Sequence, residues 1–203
     1  QYYGMGVSMI HKRRDNSWTN AEMLKIRNFN KFSTTPQMGA SMGQDGKTLL
    51  FYMTDKKGSF DNDLYVSFAE GNDIWTAPKS LGKKINLPDY NEMSPFIAAD
   101  GVTLYFSSDR PGGIGENDIW MSKRQDDSWT KWSEPVNLGR PINTEGSEAF
   151  FTLDAGGEYA FRIRGEEHLW TPDAIAKLQH ATRNGKADTY KEFAQIINDQ
   201  TRR

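Results

Sequence analysis

Apolar residues in this chain come in short bursts separated by Gly, Pro, Asn and Asp, which predicts strands and turns in place of long helices. Leu49-Leu50-Phe51-Tyr52-Met53 and Leu104-Tyr105-Phe106 do not alternate strictly with polar residues, as expected of strands covered on both faces. Asp100-Gly101 reads as a two-residue hairpin turn between strands over 93–97 and 102–107, because Gly supplies positive φ and Asp tolerates it. Arg110-Pro111-Gly112-Gly113 is a turn cluster, 118–121 a third strand, and 132–138 a weak outer strand that Pro135 confines to an edge.

This pattern repeats. Asp45-Gly46-Lys47-Thr48-Leu49-Leu50-Phe51 returns as Asp100-Gly101-Val102-Thr103-Leu104-Tyr105-Phe106 and, weakly, as Ala155-Gly156-Gly157-Glu158-Tyr159-Ala160-Phe161, with the last Phe at 51, 106 and 161. Asp61-Asn62-Asp63-Leu64-Tyr65 matches Glu116-Asn117-Asp118-Ile119-Trp120. Trp75, Pro78, Leu81-Gly82 and Asn86 match Trp132, Pro135, Leu138-Gly139 and Asn143. A faint earlier copy aligns Ser17-Trp18-Thr19 with Ser128-Trp129-Thr130, and Met9-Ile10-His11-Lys12-Arg13 with Trp120-Met121-Ser122-Lys123-Arg124. Four strands per repeat is the composition of a propeller blade.

After Phe161 the repeat is lost. Thr171-Pro172-Asp173 reads as a helix start, Ile175, Leu178, Gln179 and Thr182 share a helical face, and Asn184-Gly185 ends it. A second helix over 188–198 carries Tyr190, Phe193 and Ile197 on one side. The expectation is an all-β, partial propeller of about three blades over 1–161 and a short helical tail over 162–203.

Composition narrows the function. The 203 residues include 25 Lys and Arg against 27 Asp and Glu, a formal charge of −2 without long runs of one sign, which argues against a nucleic-acid partner. Cysteine is absent, removing disulfides, thiolate metal sites and cysteine nucleophiles. No apolar run reaches the length of a membrane span, and Gln1-Tyr2-Tyr3-Gly4-Met5-Gly6 carries no basic leader, so a signal segment is expected to have been removed or to lie in a longer gene product.

Ser94-Pro95, Asp100-Gly101, Leu104-Tyr105-Phe106-Ser107-Ser108-Asp109-Arg110 and Asp118-Ile119-Trp120 resemble the WD40-like β-propeller repeat of TolB-type proteins. The box from Trp132 to Asn143 is similar to that of Bacteroidetes cell-envelope members. The resemblance implies a non-enzymatic binding scaffold in the periplasm or at the outer membrane, with a protein or peptidoglycan-associated partner and no cofactor. Three blades cannot close a ring, so self-association through unpaired blade edges is expected too.

Gly156-Gly157-Glu158-Tyr159, Arg162, Arg164-Gly165-Glu166, His168-Leu169-Trp170, Pro172, Ile175, Leu178-Gln179, Ala181, Tyr190 and Asn198 resemble a different family, the glutamate synthase large subunit just ahead of its FMN-binding barrel. That family's flavin, iron–sulfur and amidotransferase machinery lies elsewhere, so the resemblance implies a segment inactive by itself. The two resemblances meet near residues 156–161, as a chimeric reading frame would; a natural fusion or a divergent cap are the alternatives.

Candidate chemistry is sparse. Asp61, Asp63, Glu116 and Asp118 invite a calcium loop, yet lack EF-hand or nonapeptide spacing and read better as turn residues, metal binding there being left open. Ser107-Ser108-Asp109-Arg110 has no His to serve as base, and its counterpart Met53-Thr54-Asp55-Lys56 lacks Ser; it reads as a strand end whose Asp caps the next turn. His11, His168 and His180 are scattered. Trp75, Trp129 and Trp132 suggest a sugar-stacking platform or, since Trp75 and Trp132 recur, packing between blades. Glu166, Glu167 and Asp173 suit a helix start better than acid–base work. No catalytic, cofactor or metal residue is assigned.

Overall fold

The computed structural model describes residues 6–31, 38–54, 61–154, 157 and 159–165. They belong to the first of two compact units, Gln1–Gly165, the second being Glu166–Arg203. Both helices expected in the tail lie outside the described residues.

The described part is all-β apart from one 3-10 turn at Phe29–Lys31. Its strands are β1 (Ser8–Met9), β2 (Glu22–Met23), β3 (Lys25–Ile26), β4 (Gly39–Met42), β5 (Thr48–Met53), β6 (Asp63–Gly71), β7 (Ile74–Trp75), β8 (Lys79–Ser80), β9 (Glu92–Ile97), β10 (Thr103–Ser108), β11 (Asp118–Lys123), β12 (Val136–Asn137), β13 (Ser147–Leu153) and β14 (Ala160–Gly165). Strands β9 to β12 make an antiparallel meander. Strands β4, β5 and β6 make another, with β7 and β8 both on β6 and β3 parallel to β7. Two-stranded hairpins, β1–β2 and β13–β14, flank these sheets, so three four-stranded blades are not what the described residues form.

The repeat holds at the level of hydrogen bonds. Asn86 lies buried, accepts at Oδ1 from the Leu64 amide and donates from Nδ2 to the Leu64 carbonyl. Asn143 does the same to Ile119. These bonds satisfy backbone groups of β6 and β11 that no strand covers, which explains why Asn recurs there. Ser67 Oγ donates to the Thr76 carbonyl, and Ser122 Oγ to that of Ser133.

Strand pairing corrects four details of the sequence reading. Asp100-Gly101 is not a two-residue turn: Ala98 N–H bonds Thr103 O around four residues, and only Gly101 (φ +65°) is left-handed. Asp100 instead accepts from the amides of Val102 and Thr103 and from the Thr103 hydroxyl, as Asp45 does from Lys47 and Thr48. In the third copy the left-handed turn glycine is Gly157 (φ +71°), closing on Asp154, so that unit is displaced by 56 residues, not 55. Phe161 therefore stands opposite Thr152, as Tyr105 stands opposite Phe96, and Arg162 takes the place of Phe106. At the N-terminus the equivalent of Trp18 is not Trp129 but Trp75 and Trp132. Leu24 N–H bonds Val7 O, as Leu81 bonds Leu64 and Leu138 bonds Ile119. His11 N–H reaches Thr19 Oγ1, as Phe68 reaches Thr76 and Lys123 reaches Ser133. The β1–β2 hairpin thus corresponds to the third and fourth strands of a unit. The expected outer strand over 132–138 shrinks to Val136–Asn137 and a bridge from Trp132 to Arg124.

Both faces of β5 are covered, as its unbroken apolar run predicts. Leu50, Leu64, Val66 and Leu81 pack against Ile97, Leu104, Phe106, Trp120 and Trp132 of the following sheet. Leu49, Phe51, Tyr65 and Trp75 pack against Val7, Leu24, Ile26 and Phe29 on the other side. Burying each such side chain contributes about 1.5–3 kcal/mol, so apolar packing between sheets outweighs any single turn bond.

Candidate functional site

The turns over 43–48 and 98–103 and the loop after β11 enclose a cleft of about 410 Å³, in the size range of small-ligand sites. Phe68, Ile97 and Trp129 give it apolar walls, and Asp45, Arg124 and Asp127 give it charge. Trp129 sits at φ +61°, a conformation that a bulky residue adopts only when its surroundings hold it. Phe68 meets its ring edge-on at 5.5 Å, Trp132 at 5.9 Å, and the Arg124 guanidinium lies 4.8 Å from its centroid. Arg124 donates to the Gly101 and Asp126 carbonyls and pairs with Asp127 at 2.7 Å. Asp127 is fully exposed, so its carboxylate is the charge offered to solvent.

A second polar cluster is buried. Arg110 Nη2 lies 3.0 Å from Glu92 Oε1, with both side chains almost wholly enclosed. Glu92 Oε2 accepts from the Leu87 amide, and Arg110 also donates to the Ile85 carbonyl while its guanidinium lies 4.6 Å from the Phe106 centroid. Burial pushes the Glu92 carboxyl up to about 8, although Arg110 and Ser108 pull it down. Burial likewise lowers Arg110 from its ordinary value, with Glu92 opposing. Glu148 occupies the corresponding place after β12, accepting from the Thr144 amide and hydroxyl, and its cation is Arg162 at 3.6 Å.

The residues singled out in the sequence fall mostly into structural roles. Ser107 donates to the Glu148 carbonyl, and Ser108 donates to Glu92 while accepting from Arg110. Neither hydroxyl meets a histidine, and the only carboxyl that Ser108 meets is committed to Arg110 and the Leu87 amide. Asp109 does not cap the turn after it but accepts from the amide and side chain of Asn91, because the approach to β9 brings Asn91 alongside. Asp118 is buried, with one oxygen accepting from Ile114 N–H and Asn137 Nδ2 and the other from Gly115 N–H. Asp63 opens β6 opposite Met53, Asp61 just before it is half-buried, and its repeat counterpart Glu116 is exposed. Among the described residues no group of three or more His, Asp or Glu is arranged to hold a metal ion. His11 belongs to the β1–β2 hairpin through Thr19. Trp75 and Trp132 are buried between sheets, whereas Trp129 lines the cleft. His168, His180, Glu166, Glu167 and Asp173 lie outside the described residues.

Sequence reasoning missed Glu92 and Glu148. Each follows a recurring Asn, but at six residues after Asn86 and five after Asn143, and the unequal spacing hides the match.

No family model matches the chain. Among curated proteins, an NADH-type glutamate synthase of Schizosaccharomyces pombe is 45% identical over 47 residues, 23% of this chain. The match spans 2% of that relative's length.

Proposed function

We propose that this chain is a segment of a propeller-like binding scaffold of the bacterial envelope, non-enzymatic, presenting its loop ends to a protein or peptidoglycan-associated partner. The cleft carries the reading: a groove of ligand-site size is formed by turns, and a strained tryptophan and an exposed carboxylate line it. The commitment of Ser107, Ser108, Glu92 and Asp118 to internal hydrogen bonds supports a binding role over catalysis. The envelope assignment rests on the resemblance of the Trp132–Asn143 box. The test is co-sedimentation with bacterial sacculi, in one arm retaining their associated proteins and in the other stripped by protease. The reading expects pelleting in at least one arm and its loss in Asp127→Arg at unchanged thermal stability. Absence of pelleting in both arms, or a variant that pellets like the parent, overturns it.

A second reading is favoured by the 45% match: residues 162–203 are an inactive piece of glutamate synthase sequence joined to the repeat. Unbroken long reads of the source DNA across the codons for 140–180 make the junction real; split reads make it a chimera. A flavin absorbance band in purified protein would instead place glutamate synthase chemistry in the chain.

A further inference from the structure

The recurring tryptophans have unequal surroundings. Trp75 and Trp132 are 3% and 2% exposed, while Trp18, their hydrogen-bonded equivalent, is 56% exposed. Trp132 is buried against Leu64, Val66 and Leu81 of the preceding sheet, and Trp75 against Val7 and Leu24, which hold the same register positions as Leu64 and Leu81. Trp75 and Trp132 therefore each face the third and fourth strands of the unit before them. The β1–β2 hairpin shows the same two-sidedness. Val7 packs toward β5 and β6 and Met9 is half-buried, whereas Ile10, Trp18 and Met23 are exposed apolar residues of an outer face. Ser8 pairs with Met23 in register, which puts Met23 on that outer face.

The chain also carries the matching surface. Ile119 and Met121 on β11, with Leu138 just after β12, are the equivalents of Leu64, Val66 and Leu81. Val66 and Leu81 are fully enclosed by the next sheet, but Met121 and Leu138 are only half-buried.

We propose that Trp18 of one copy docks on Met121 and Leu138 of a second copy, repeating between chains the contact that Trp132 makes with Leu81 and Val66 within one. Each copy carries both surfaces, so the contact is head-to-tail, and it gives the docked β1–β2 hairpin the third- and fourth-strand places that follow β13–β14 in the repeat pattern. The proposal rests on the stacked-sheet reading above but not on envelope binding.

Sedimentation velocity of the full chain over a wide concentration range tests it. Wild type self-associates. Trp18→Ser and Met121→Lys each weaken association about tenfold or more, the scale of losing an interface aromatic. Trp18 is exposed within one copy, so Trp18→Ser leaves the unfolding midpoint of dilute protein and the pelleting with sacculi unchanged. Mixing the two variants restores association, because one intact Trp18 then meets one intact Met121. A monomeric wild type, association indifferent to Trp18→Ser, or no recovery on mixing overturns the proposal.

Discussion

Arg110 pairs with Glu92 at 3.0 Å where neither side chain is more than 4% exposed, and the same guanidinium reaches back to the Ile85 carbonyl ahead of β9. The pair joins the linker between two sheets to the end of β10. Removing Glu92 leaves the guanidinium buried and charged, and removing Arg110 leaves the buried Glu92 carboxyl without its main donor. Arg110→Ala and Glu92→Ala are each expected to lower stability by about 3–5 kcal/mol, and the joint Arg110→Met, Glu92→Leu replacement by clearly less. Urea denaturation of the singles and the double checks this; additive losses would refute the coupling.

The pH dependence has two limbs of opposite sign. Glu92 titrates near 8 when folded against an ordinary 4.5, so the folded chain holds this proton more tightly. Its contribution is full below 4.5 and is lost as pH rises toward 8. Asp45 and Asp100 are held below their ordinary 3.8 by amide and hydroxyl donors of their turns, which outweigh partial burial. Their contribution is present above 3.8 and is lost as pH falls below it. Thermal midpoints across pH should fall at both ends. Glu92→Gln flattens the decline between pH 4.5 and 8 alone, and Asp100→Asn softens the acid limb alone.

Asn86 and Asn143 each satisfy one amide and one carbonyl of the neighbouring strand. Substituting either with Ala leaves the buried Leu64 or Ile119 amide without its acceptor, an expected loss of about 1–3 kcal/mol, while the carbonyl keeps the Leu81 or Leu138 amide. The two variants should show similar losses in chemical denaturation, since their bonds are alike. A neutral Asn143→Ala would refute the assigned role.

Two glycines separate backbone strain from steric conflict. An added Cβ at Gly101 meets nothing within 4 Å, so Gly101→Ala costs only its left-handed φ of +65°, about 1 kcal/mol. An added Cβ at Gly115 collides with the carbonyl oxygens of Gly146 and Thr144. Gly115→Ala must push apart the loops that set β11 beside β13, and should cost several times more in a thermal melt.

Much of the fold is legible in residue order because its strongest constraints are local. The carboxylate-capped turns at Asp45 and Asp100, the glycine at φ +65°, and the Trp-to-Leu spacing in Trp75–Leu81 and Trp132–Leu138 all act within a few residues. The candidate site was less legible. Trp129 could be named as a ring, but its strained backbone and its place beside Phe68 depend on a residue in another sheet. The third copy misled for a related reason: Gly156-Gly157 offers two candidates for one left-handed position, and only the bond from Gly157 N–H to Asp154 O selects between them.

Residue order by itself determined an all-β repeat with turns, recurring tryptophans and two-faced strands, since turn chemistry and hydrophobic runs are short-range properties of the chain. Tertiary structure alone decided which of those residues meet. It buried Glu92 against Arg110, tied Asn143 to Ile119, and left Trp18 exposed where Trp75 and Trp132 are covered. The reason is physical: burial and pairing depend on the sheet that packs opposite, and that sheet is contributed by residues distant in the sequence.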